Sequence, residues 1–486
     1  MLRVAVVGSG PAGLYTAEAL VKQAAALPVP ARVRVDVLDR LPTPYGLVRY
    51  GVAPDHKSIK SVATYLRRVL EHPDVEFHGG VHLGRDVTRE DLLKVYDAVV
   101  YATGAMRDAR LAIPGEDLPG SRAATDFVNW YCGHPDMDAS AFSLDAESVV
   151  VIGVGNVAVD VARILVRDPA ELADTDIPEP VMAALRASKV RQVHVIGRRG
   201  PAQAKFTTKE LRELGELPGV TVSVGPGELD LDAFDPTGGS AELAATDRRV
   251  RGNLVAMRAW ESASGAAQAT RQLRLRFWLR PAEIQGTERV RAITCERTRI
   301  TADGTFEGTG ELEEIEAQLV LRSVGYQSVP LDGVPFDSRT KTVPSANGRV
   351  LGPDGEPLPG EYVAGWLKRG PTGVIGTNKA DAAQTAQALL ADLAGGPDPS
   401  EASLPRPGLL RLPSAAAVAE AEAEAEAEAE AEGSPLYAVC AARGVQRVSY
   451  TDWLRIEAAE ADLAAALGRG ERVKLASADE IRAVLP

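Results

Sequence analysis

An α/β architecture of two three-layer units, the second inserted into the first, is predicted by three features of the sequence. Two apolar, β-branched runs, at 4–7 and 149–152, each break into a glycine-rich turn. A segment with helical spacing follows each turn, and a further apolar strand follows each helix. Runs without a polar alternate suit central parallel strands, which are covered on both faces.

In the first unit a strand is predicted at 3–8, a helix at 12–26 and a second strand at 33–39, which together make a βαβ unit. Helical spacing returns at 57–71, and VEFHGG and YDAVVYATG read as further strands. The second unit repeats the pattern with a strand at 148–153, a helix at 156–167 and a strand at 190–197. Strand-like alternation continues at 272–300 and 315–326, and 360–393 then reads as strand, loop and helix belonging to the first unit again. The predicted domains are therefore 1–106 and 326–393 for the first unit, 107–325 for the inserted one, a linker at 394–435 and a small cap at 436–486. In the linker, a strict Ala-Glu alternation at 419–432 sets like charges at i,i+4 in a helix and is unfavourable in a strand, so a solvated spacer is expected.

The 486 residues suffice for two or three cores, and no apolar stretch reaches the length of a membrane span. A cytoplasmic protein is expected. Cys132, Cys295 and Cys440 are widely separated, which leaves no disulfide framework, metal centre or redox Cys pair to be built from them. The formal charge of −13 argues against a nucleic-acid partner. Within that acidic chain, 186–212 carries eight Lys or Arg against one acid, and 248–299 twelve against four. Arg248, Arg249, Arg251 and Arg258 stand out as a docking surface for an acidic protein.

The turns themselves carry the chemistry. Gly8, Gly10 and Gly13 have the dinucleotide spacing: one glycine for the tight turn, one for close approach of backbone to a pyrophosphate, one for helix–strand packing. Gly153 and Gly155 repeat it, with Ala158 as third member, and Asn156 and Val157 opening the helix whose N-terminus faces the phosphates. Asp39 ends the second strand, 26 residues past Gly13, where an acid holds a ribose. The matching strand of the second unit ends instead in Arg198 and Arg199, a pair suited to a 2′-phosphate, so NADP rather than NAD is expected there.

Five ordered blocks, the first glycine turn, PTPYGLVRYGVAPDH, GVGNVAVDVARIL, GRRGPAQAKFTTKELREL and GWLKRGPTGVIGTNKADA, closely resemble the adrenodoxin-reductase type of ferredoxin–NADP reductase. The resemblance runs through about residues 2–392, with a weaker echo at the end of the chain. It implies FAD on Gly8, Gly10, Ala12 and Gly13, with Asp39, where the family often carries glutamate, on the ribose and Leu47 and Val81 lining the site. It implies that Trp366 and the Gly373, Val374 and Ile375 backbone close over flavin and nicotinamide ribose, and that Glu210 lies near NADP. His56 and Glu213 would act beside the nicotinamide in proton handling or charge balance, and Ala109 replaces an arginine used by some relatives. The reaction so implied is hydride transfer from NADPH to flavin N5, then single-electron transfer to a ferredoxin-like iron–sulfur protein. A diaphorase with small acceptors, and a nucleotide-sensing scaffold without turnover, remain as alternatives.

Overall fold

The computed structural model describes residues 1–261, 269–393 and 434–486; the predicted Ala-Glu spacer lies outside them. The first unit is built on a seven-stranded sheet. Its parallel part runs Pro357–Val363, Ala98–Tyr101, Leu2–Val7, Val33–Asp39, Val75–Gly79, and two short antiparallel strands, Arg349–Leu351 and Ser345–Ala346, extend one edge. Helix Pro11–Ala25 lies along helix Thr377–Leu393 over one face, so the two stretches of chain that bracket the inserted unit share one apolar core of Val4, Val6, Leu14, Leu20, Ala386 and Leu389. The predicted helix at 57–71 is divided into Lys57–Lys60 and Val62–Leu70. Ser61 stands at the break and its hydroxyl donates back to the Ser58 carbonyl, the competition with the backbone that marks serine in helices.

The second unit carries a six-stranded parallel sheet in the order Ser121–Ala123, Leu319–Arg322, Ser148–Ile152, Gln192–Ile196, Arg271–Arg276, Val220–Val224. Its layers differ from those of an ordinary doubly wound sheet. Helices cover one face, but a separate antiparallel sheet of Leu279–Gly286, Val290–Ile300 and Phe306–Glu316 covers the other. The apolar alternates Leu279, Ile284, Val290, Ile293 and Cys295 pack on Val150, Ile152, Ile196 and Val320. The strand expected at 315–326 is consequently two pieces: the end of the antiparallel sheet to Glu316, then Leu319–Arg322 in the parallel one.

Two chain crossings join the units, and they pair with each other. Arg107–Asp108 and Tyr326–Gln327 form a two-stranded antiparallel ribbon. The terminal segment docks across the outer side of the first unit: Gly79 and Val448 exchange both backbone hydrogen bonds at 2.8 Å, and Trp453 is fully buried beside Tyr45.

Candidate functional site

A cleft of about 540 Å³ opens along the C-terminal ends of the first unit's strands and reaches the ribbon. Gly8, Gly10, Ala12, Asp39, Leu47, Val81 and Trp366 line it, together with Thr103, Gly104, Tyr326 and Asn378. Two glycines of the turn have distinct physical duties. Gly8 has φ +112°, and a Cβ there would sit 2.5 Å from the Ala102 carbonyl oxygen. Gly13 does not line the cleft; a Cβ on it would fall 1.8 Å from the Gly8 carbonyl oxygen, so its bare backbone lets helix Pro11–Ala25 come up against the turn. Asp39 is held in place by the Ser9 backbone N–H and hydroxyl, which donate to Oδ2 at 2.8 and 2.7 Å, and by the Leu41 N–H, which donates to Oδ1 at 2.9 Å. The Thr103 hydroxyl is buried in this lining with no hydrogen-bond partner among the described residues. A cradle of bare glycine backbone, an anchored carboxylate at the strand end and an orphaned hydroxyl fit a dinucleotide of the size of FAD.

The second turn repeats the first at the level of backbone. Gly153 has φ +134°, and a Cβ would meet the Ser323 carbonyl oxygen at 2.1 Å, just as Gly8 meets the end of its neighbouring strand. Gly155, at the N-cap of helix Asn156–Val166, faces open space, which leaves the first-turn N–H groups accessible to a phosphate. Ala158 is fully buried, and Asn156 accepts a hydrogen bond from the Thr207 N–H at 2.9 Å, tying the turn to the next loop; Val157 packs partly buried against the unit's core. Arg198 and Arg199 are both exposed. The Arg198 carbonyl is fixed by the Thr298 hydroxyl at 2.8 Å, and the Arg199 guanidinium lies 4.9 Å from the Phe306 ring centroid. Neither guanidinium has a carboxylate partner among the described residues, so both are available to an anion.

Between the units lies a smaller cleft of about 430 Å³, and both predicted catalytic residues line it. His56 caps the short helix Lys57–Lys60 of the first unit; Glu213 comes from helix Thr208–Gly215 of the second. His56 Nε2 lies 2.9 Å from Asp160 Oδ1 and 2.8 Å from Arg163 Nη2. Arg163, 1% exposed, also donates to Asp55 through Nε at 2.6 Å and Nη2 at 2.9 Å, and Arg167 donates to Asp55 at 2.7 Å. Burial alone would lower the His56 pKa, but the hydrogen bond and charge of Asp160 outweigh it and hold the imidazole above its ordinary value. Asp55, despite burial, is held below the usual carboxylate range by Arg163. Glu210 is pushed up by burial and by Asp160, although the Thr207 hydroxyl donates to it at 2.9 Å. This cleft therefore presents protonatable groups that span the two units.

Asp55, Asp160 and Arg163 were not among the residues singled out from the sequence. For Asp160 and Arg163 the signal was present in NVAVDVARILV, an otherwise apolar helix whose two charges sit at i,i+3, the pattern of a buried ion pair; Asp55 carries no such local signal. Gly373, Val374 and Ile375 do not line the large cleft; they form a turn beside it, with Val374 68% exposed and its N–H bonded to the Thr377 hydroxyl at 3.1 Å.

The raised His56 pKa gives a signed expectation. Pairing with Asp160 stabilises the interface fully below the unfolded value near 6.5 and is lost as pH rises through the raised folded value. Replacing Asp160 by Asn moves the His56 imidazole titration, followed by NMR, to lower pH; an unmoved midpoint would remove Asp160 from this role.

Known proteins resemble the chain along this whole arrangement. A family model described as pyridine nucleotide-disulphide oxidoreductase matches residues 2–224. The chain is 45% identical over 402 residues to the NADPH-ferredoxin reductase FprA of Mycobacterium tuberculosis, covering 82% of this chain and 85% of that one. It is 38% identical to the human mitochondrial NADPH:adrenodoxin oxidoreductase over 99% of this chain and 92% of that one. A solved structure of Mycobacterium tuberculosis FprA in complex with NADPH superposes with a TM-score of 0.84 at 40% identity, covering 99% of both chains. The disulphide chemistry in the family description has no counterpart here, because Cys132, Cys295 and Cys440 are each free and buried.

Proposed function

Because the chain belongs to the adrenodoxin-reductase-type ferredoxin–NADP reductases, we propose that its large cleft is the FAD site, its second glycine turn the NADP site, and the small cleft between them the place where the nicotinamide is held. The protein is an FAD-dependent oxidoreductase that transfers electrons between NADPH and an iron–sulfur protein. In domain terms, residues 1–106 and 326–393 bind FAD and 107–325 bind NADP. The single observation that carries the assignment is the duplication of one backbone device, a positive-φ glycine pressed against a neighbouring strand end, at Gly8 and at Gly153.

Held on the Gly8 and Gly10 turn and by Asp39, FAD would supply the chemistry of accepting a hydride's two electrons and releasing them one at a time. The chain's own residues supply binding, orientation and proton handling. Asp39 accepts from ribose hydroxyls, while Gly8, Gly10 and the helix N-terminus receive the pyrophosphate. Arg198 and Arg199 form charge-assisted hydrogen bonds to the 2′-phosphate. Trp366, whose ring stacks on Tyr326 with centroids 5.6 Å apart, walls the end of the cleft at the crossing between the domains. His56, kept protonated more readily by Asp160, stands beside the nicotinamide site with Glu213 in the same cleft. No helix among the described residues is long and apolar enough to cross a membrane. We place the enzyme in the cytoplasm, where reduced cysteines such as these three are the rule.

The acceptor is read as an acidic ferredoxin-like protein docking on the basic face of the NADP domain, where Arg248, Arg251 and Arg258 are exposed. Arg249 is partly spent inside the domain, reaching the Ala204 carbonyl at 2.5 Å. Stopped-flow reduction of the yellow protein by NADPH, followed by cytochrome c reduction through added ferredoxins, tests this reading. Raising ionic strength from low to near-molar should slow ferredoxin reduction by about tenfold or more, because exposed charges are screened. A salt-independent rate would sink the docking surface, and turnover indifferent to every ferredoxin would favour a diaphorase.

A further inference from the structure

The terminal segment touches both domains, and the two sets of contacts differ in kind. Against the FAD half it is embedded: Val448 pairs with Gly79, Ser434 donates to buried Asp36 at 2.6 Å, Glu460 pairs with Arg49, and Trp453, Ile456 and Ile481 join the core. Against the NADP half it reaches out through two long cations. Arg469 donates to the Ala173 carbonyl at 3.1 Å, the Thr175 carbonyl at 3.3 Å and Glu179 at 2.9 Å. Lys474, 1% exposed, donates to the Arg49 carbonyl of the FAD half at 2.7 Å and to the Cys132 carbonyl of the NADP half at 2.9 Å, and pairs with Asp176 at 3.1 Å.

An ammonium taken out of water costs several kcal/mol unless every proton finds an acceptor, and here the three acceptors come from both sides of the domain boundary. The same ammonium lies 5.5 Å from the ring centroid of Tyr50, which lines the large cleft. Backbone contact is equally close: a Cβ at Gly470 would stand 2.8 Å from the Asp174 carbonyl oxygen.

We propose that residues 434–486 are an interdomain strap, anchored in the FAD domain and pinned to the NADP domain by Lys474 and Arg469, which sets the separation across which the two dinucleotides meet. The proposal rests on the reading of two dinucleotide sites given above. Lys474 is a positioning residue: it acts through the placement of the NADP domain and touches neither nucleotide turn. The strap explains why the end of the chain carries a buried cation that no step of the reaction uses. Asp176 remains paired in its absence, because Lys60 reaches the same Oδ2 at 2.9 Å. Lys474→Met therefore removes the pin without leaving that carboxylate alone.

The full-length flavoprotein and its K474M and R469A variants provide the test. Hydrogen exchange at residues 173–179 should accelerate about tenfold in K474M and less in R469A, while exchange in the strands 2–7 and 148–152 stays at the wild-type rate. Binding of 2′,5′-ADP, which needs the NADP domain alone, should change less than about twofold, whereas flavin reduction by NADPH slows about tenfold. Wild-type exchange at 173–179 in flavin-replete K474M overturns the strap. If K474M fails to retain flavin, unchanged exchange in R469A overturns it instead. Failure of wild-type protein to be reduced by NADPH would count against the functional reading, and the exchange data would still decide the strap.

Discussion

Alanine at both Arg198 and Arg199 raises the KM for NADPH about a hundredfold and leaves the KM for NADH within about twofold. Each guanidinium can offer forked donors to a doubly charged phosphate, and a hydrogen bond to a charged group contributes roughly 1.5–3 kcal/mol. Their exposure reduces that figure, so two such interactions together correspond to about two decades of affinity. NADH lacks the phosphate and has nothing to lose. The backbone of the pair is anchored through the Thr298 hydroxyl, so truncating the side chains should not move the loop. Steady-state kinetics with both nucleotides, on protein of matched flavin content, measures the difference. Equal losses for NADPH and NADH would mean the pair acts on something other than the 2′-phosphate.

Gly13→Ala yields protein with most of its flavin missing. The added methyl would lie 1.8 Å from the Gly8 carbonyl oxygen, and this is backbone at the heart of the phosphate turn, not a side chain able to swing aside. Either the helix retreats or the turn deforms, and overpacking of this kind costs about 1–3 kcal/mol in addition to misaligning the N–H groups that face the pyrophosphate. FAD affinity should fall at least about tenfold, read as the ratio of 450 nm to 280 nm absorbance after gel filtration. Alanine already occupies the corresponding place in the second turn at Ala158, fully buried, so that turn accommodates a methyl group at this position. Ala158→Gly should accordingly leave NADPH kinetics nearly unchanged. A fully yellow G13A protein would show that the first turn has the same slack.

The nucleotide turns and strand ends could be read from the sequence because their requirements are local. A φ of +112° at Gly8 or +134° at Gly153 is a property of one residue, and the acid or arginine pair that follows sits at a spacing set by one helix and one strand. His56 and Glu213 were named through resemblance, and they do line one cleft, but the side chains within hydrogen-bond distance of His56, Asp160 and Arg163, lie about a hundred residues away on another domain. The antiparallel sheet at 279–316 shows the same limit. Its alternation was visible, yet nothing local says that its apolar face would replace the helices on one side of the six-stranded sheet.

The amino-acid sequence by itself determined that this chain makes two glycine-turn nucleotide sites, one acid-tipped and one arginine-tipped, because turn geometry and strand-end chemistry depend on neighbours within one βαβ unit. Only the tertiary structure decided which charges meet between them: Asp55 with Arg163, His56 with Asp160, Lys474 with Asp176. A charge in a sequence announces its sign but not its partner, and the partner is chosen when two domains fold against each other and every ion excluded from water must find its complement.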